Sequence, residues 1–121
     1  MATPNLINVD TITPVVAVGA VTTSRADIVD VTDEYCAKIN SLIIANIDGT
    51  NAADITVEVS TDNGSSYVKI ANTISVPADS SLSLIGKDNG FYLDETDLLA
   101  VTASAASDLV AMCSWEEMKD A

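Results

Sequence analysis

The chain has 121 residues, 48% of them apolar but only 4% aromatic, with 18 acidic side chains against five basic ones and no histidine. Its net charge of −13, with Arg25, Lys38, Lys69, Lys87 and Lys119 scattered singly, excludes a basic face for nucleic acid and sets the chain against an anionic membrane. Such a length makes a single domain with one core, and the content of Val, Ile, Leu and Ala is too high for a disordered chain.

The first residues, MATPNLINVDTITPVVAVGAVTTSR, carry two of the three prolines and no acid except Asp10. They lack the basic start and long apolar core of a signal peptide, and the run VVAVGAV at 15–21 is far short of the ~20 residues that span a bilayer. Residues 1–24 are read as an N-terminal arm or edge segment ahead of a β-sandwich domain over 25–121. Two readings of that segment stay open: a frayed tail followed by an edge strand over 15–22, or an extended arm that docks on a larger assembly. The docking residues would be Leu6, Ile7, Val9, Ile12, Val15, Val16 and Val18, apolar groups otherwise left in water.

From Asp27 the pattern alternates with period two, the signature of half-buried strands. IVDV at 28–31 is a short strand. AKINSLIIANI at 37–47 places Ile39, Ile43, Ala45 and Ile47 on one face and Leu42 and Ile44 on the other. IDGTNAAD is a turn, and DITVEVST at 54–61 is the cleanest strand, with Ile55, Val57 and Val59 on one side. TDNGSS turns into SYVKIANTISV at 66–76, and Pro77 breaks the pattern before LSLIG at 82–86. After the KDNG turn, Tyr92 and Leu93 end a strand and Asp94–Asp97 bends the chain. LLAVTASA at 98–105 restarts with Leu99, Val101 and Ala103 on the core face, LVAMCSW at 109–115 closes the set, and EEMKDA reads as a charged tail. No stretch carries a helical stripe. The expected fold is all-β: an antiparallel β-sandwich or jelly-roll-like single domain with an extended N-terminal arm.

Without histidine the chain lacks the commonest general base and metal ligand. It has no GxSxG, no phosphate-cradling glycine loop and no Walker lysine, so no catalytic residue and no cofactor site is assigned. Asp94 and Asp97, or Asp62 with Asn63, could share a hard cation with a facing loop, but no EF-hand spacing supports it. Turn hydrogen bonds explain the same carboxylates without an ion. A carbohydrate-binding face around Tyr92 or Trp115 also stays open. Cys36 and Cys113 are read as small buried hydrophobes, with a disulfide between them undecided.

The pieces ANIDGTNAADITVEVS, ISVPADSSLSLI and FYLDETDLLAVTASAASDLVAMCSWEE follow an order that resembles small β-sandwich virion proteins of tailed bacteriophages. The likeness runs from Lys38 to Glu117 and leaves the N-terminal segment out. It implies a non-enzymatic structural subunit of a virion, made in the host cytoplasm. A capsid decoration (cement) protein fits best, bound to the major capsid protein or other virion proteins and oligomeric. A neck, tail or baseplate adaptor and a glycan-binding attachment module are the alternatives.

Overall fold

A computed structural model describes residues 6–121. Their regular elements are all strands: β1 (Val9–Ala20), β2 (Ala26–Asp30), β3 (Tyr35–Asn46), β4 (Ala53–Ser60), β5 (Val68–Val76), β6 (Ser81–Ile85), β7 (Phe91–Leu93), β8 (Leu98–Ala103) and β9 (Leu109–Asp120). One sheet runs β1-β9-β3-β6, with β7 also paired to β3; the other runs β2-β8-β4-β5. All the pairings are antiparallel. The chain crosses from one sheet to the other at every connection except β4–β5 and β6–β7.

The alternating residues of both sheets meet between them. Ile39, Leu42 and Ile44 of β3 lie in one core with Ile55 and Val57 of β4, Leu99 and Val101 of β8, and Leu109, Cys113 and Trp115 of β9. The all-β sandwich expected from the period-two pattern is therefore present.

Three local expectations need correction. Ile43 and Ala45 do not share a face with Ile39. A register shift between Ile39 and Ser41 against β9 inserts one residue, so Leu42 and Ile44 inherit the core-facing phase and are fully buried, while Ile43 and Ala45 face outward half-buried. EEMKDA is not a tail, because β9 continues to Asp120. Glu116 and Glu117 pair with Lys38 and Ala37 on one side and with Pro14 and Thr13 on the other, and Met118 is buried. A strand flanked on both sides tolerates charged residues wherever their ends reach water. Trp115, one of the two aromatics considered for a glycan, packs in the core and presents no stacking face.

The turns follow the residues that make them. Asn46, itself buried, donates through its side-chain amide to the carbonyls of Asn51 and Val76, and its Oδ1 accepts from the Asp48 N–H. In TDNGSS, Asn63 and Gly64 take φ of 58° and 87°. There Asp62 accepts from Ser60 Oγ, Ser66 N and Ser66 Oγ, which holds its carboxyl down at about 2. At Gly90 a Cβ would stand 2.7 Å from the Ile39 carbonyl oxygen, so only glycine lets the 87–90 turn lie against β3.

A candidate docking surface on the first strand

Among the described residues β1 lies at the edge of its sheet, paired only to β9, and it occupies half of the 1–24 segment. Alternation divides its side chains. Val15 and Ala17 turn inward and pack against the core, and Val9 is half-buried. Ile12, Val16 and Val18 turn outward and are 59%, 61% and 65% exposed. Leu6 and Ile7, just before the strand, are exposed as well. The structure thus separates the seven sequence-predicted docking residues: five are solvent-facing or precede the strand, while Val15 belongs to the packing of the sandwich and Val9 lies between the two classes. Residues 1–5 of the expected arm lie outside the described residues.

The register carries the outward face further than the sequence showed. Val18 stands beside Met112 of β9, and Met112 beside Ile43 of β3. Val16 stands beside Ser114. Val18, Met112 and Ile43 therefore form an apolar row across three strands with Val16 beside it, on a protein whose charge is −13, and Ile12 is exposed on the same face beyond the row of Pro14, Glu116 and Lys38. No charged residue lies between Asp10 and Arg25. The part of this face on β3 was hidden in the sequence because the inserted residue near Asn40 inverts the phase there, and Met112 of β9 joins it only through the register.

The acidic bend after β7 resolves into backbone capping. Asp94 N–H donates to Asp97 Oδ2 at 2.9 Å, Asp97 N–H donates to the Asp94 carbonyl at 3.1 Å, and Glu95 N–H donates to Asp94 Oδ1 at 2.7 Å. Glu95 Oε2 accepts from the Glu34 N–H, tying the bend to the turn before β3. Burial, then the neighbouring Asp94, raises the Asp97 carboxyl above its ordinary value. Asp94 and Asp97 are thus adjacent and engaged with main-chain donors, and among the described residues no group of three or more acidic or thiol side chains converges as a metal cage.

Two further places bear on chemistry. Cys36 and Cys113 are both buried and unpaired with each other. Cys113 lies in the core cluster, and burial pushes its thiol up to about 12. Cys36, two residues from Lys38 on the outward phase, is raised by burial and by Asp94. In both, burial disfavours the thiolate, the form that acts as a nucleophile. Beside β7, Tyr92 is exposed and shares a cleft of about 280 Å³ with Phe91, Lys38, Lys87 and Asn40. Two of the five basic residues meet an aromatic there, a juxtaposition invisible along the chain.

No family model matches the sequence, and no curated protein matches it. Among solved structures, a protein of Bacillus endospore appendages, which form a family of disulfide-linked pili, superposes over 92% of this chain and 88% of its own with a TM-score of 0.54 and 17% identity. At that identity the likeness is one of fold. Two crystal structures of a pentameric capsid protein from metagenomic phage sequences align over 95% of this chain and over 67% and 62% of theirs, both with a TM-score of 0.38 and 17% identity, a superposition too loose to carry a common role.

Proposed function

We propose that this chain is a non-enzymatic structural protein of a bacteriophage virion, of the capsid decoration type, that docks on the major-capsid shell through its N-terminal segment and the outward face of β1. The observation that carries this reading is the apolar outward patch of Val16, Val18, Met112 and Ile43, with Ile12 exposed beyond the Pro14–Glu116 pair, on a strongly acidic sandwich. Burying such a patch against a second protein is favourable at roughly 25 cal/mol per Å² removed from water, and the remaining acidic surface keeps the subunit soluble until it docks. The order β1-β9-β3-β6 facing β2-β8-β4-β5, with its repeated crossings between sheets, supports the jelly-roll form of the sandwich. The sequence resemblance from Lys38 to Glu117 supports the virion context.

The test is binding to preformed shells. The wild-type chain is expected to bind, to raise the temperature at which shells disrupt, and to be present at shell-wide copy number. Ile12→Asp combined with Met112→Asp is expected to weaken binding roughly tenfold or more, since an unpaired charge in a desolvated contact is costly. Unchanged binding by that variant would remove the outward face of β1 and β9 as the docking surface, and the copy number of a single ring would replace shell docking with a neck, tail or baseplate position. The cleft of Tyr92, Lys38 and Lys87 favours a second reading, a site for an acidic glycan. Under that reading Tyr92→Ala abolishes host-glycan binding and leaves shell stability alone.

A further inference from the structure

The free edges of the two sheets are unequal. β2, β6 and β7 have five, five and three residues, and β5 carries two register shifts against β4, so each is a poor template for another strand. β1 has twelve residues and holds unbroken register with β9 from Thr11 to Ala20. The Val21 N–H donates to the Leu109 carbonyl at 2.9 Å, which places the odd-numbered residues of this segment in bonds to β9. By alternation the even-numbered residues aim N–H and C=O away from the sheet. Ile12, Val16, Val18 and Ala20 then present a ladder with no neighbouring strand among the described residues. Pro14 interrupts it once, at an even position, where its missing donor leaves the β9 pairing intact.

Charge selects what covers this edge. Two copies at −13 repel wherever carboxylates approach, and a basic partner is drawn to the acidic loops rather than to a strand with no acid between Asp10 and Arg25. An uncharged strand edge is where two such copies meet at least cost. We propose that the β1 edge pairs antiparallel with the β1 edge of a second copy about a twofold axis, fusing their two β1-β9-β3-β6 sheets into one. An axis at Ala17 sets Val16 opposite Val18 of the partner subunit, both in outward-bonding phase. Pro14 then faces Ala20 of the partner subunit, and each of those two pairs lacks one bond. The pairing uses main-chain groups in the plane of the sheet. It leaves the apolar face above that plane free and doubles it, which deepens the docking reading by naming what lies beside the face; only that use of the doubled face rests on the docking reading.

Sedimentation or light scattering on the full chain tests the pairing over a concentration series. The expected mass is twice the 12.6 kDa of one chain. Val18→Pro removes an outward donor without touching the bonds to β9, and Val16→Asp sets like charges against each other across the axis. Each is expected to raise the dimer dissociation constant roughly tenfold or more, with an unchanged far-ultraviolet circular dichroism spectrum. If Val18→Pro does not fold, Val16→Asp carries the test alone. A one-chain mass for the wild type, or an undiminished dimer in a folded variant, overturns the proposal. Shell binding measured on the same samples separates the two readings: a wild-type dimer that ignores shells sinks the docking while supporting the pairing, and a wild-type monomer that binds shells does the reverse.

Discussion

At the scale of single residues, Glu58 is the side chain whose environment demands most. It is buried on β4, and Arg25 Nε and Nη2 donate to its two oxygens at 3.0 Å each. The guanidinium also lies 4.0 Å from the centre of the Tyr67 ring, and the Tyr67 hydroxyl donates to Asp27. The hydrogen bonds to Glu58 raise the Arg25 pKa. A planar fork on a ring face is a geometry lysine cannot copy. Arg25→Lys and Arg25→Ala are both expected to lower the melting temperature by several degrees. Adding Glu58→Gln to Arg25→Ala should restore part of the loss, because it removes the stranded charge. Thermal denaturation of the wild type, Arg25→Ala, Glu58→Gln and the double variant as a double-mutant cycle checks this, with Arg25→Lys measured beside them. Asp62 gives the pH counterpart. Its folded pKa of about 2 lies below the ordinary carboxylate value near 3.9, so its contribution is complete above about pH 4 and lost as pH falls through about 2. Asp62→Ala should therefore lower the melting temperature at neutral pH and make little difference at about pH 2, whereas a difference that persists in acid would mean that the serine contacts act without the charge. Asp97 and Asp108 are shifted upward, chiefly by burial, so they act in the opposite sense and favour the fold when protonated.

At the scale of elements, β9 is the strand on which the first sheet depends, since it lies between β1 and β3. Its far half carries the charges that disguised it as a tail, yet Met118 is buried there between Ile12 and Cys36 in the register. Met118→Ala should cost about 2–5 kcal/mol by the usual large-to-small cost, read from urea unfolding, whereas Met112→Ala on the exposed face of the same strand should change stability by under about 0.5 kcal/mol. Equal effects would mean that the last turns of β9 fray. What the sequence could and could not convey follows the same logic. DITVEVST shows its core face because apolar and polar residues alternate along it, LLAVTA shows burial on both faces as a nearly continuous apolar run, and FYLDETD shows its bend because Asp94 and Asp97 are residues that cap main-chain donors. AKINSLIIANI misled because one inserted residue inverts everything after it, and period-two reasoning has no marker for such an insertion when both faces are apolar. EEMKDA misled because a strand flanked by two neighbours is recognised from its partners, which lie some eighty and a hundred residues away in the chain. The docking face was half legible: the β1 residues stand in one run, but Ile43 and Met112 join them only through register.

At the scale of the molecule, charge and apolar surface are segregated. The acidic residues gather mostly at turns and strand ends, and the first strand, whose one charge is Asp10, pairs among the described residues with β9 alone. That arrangement has a consequence for how the protein is made. A ribosome delivers β1 first and β9 last, yet β1 can reach β3 only across β9. While the chain is growing, the second sheet can assemble from β2, β4, β5 and β8, but the first strand lacks its partner until β9 emerges. Synthesis thus contains an interval in which an apolar strand is exposed, and a net charge of −13 sets copies of the chain against one another until β9 closes the sheet.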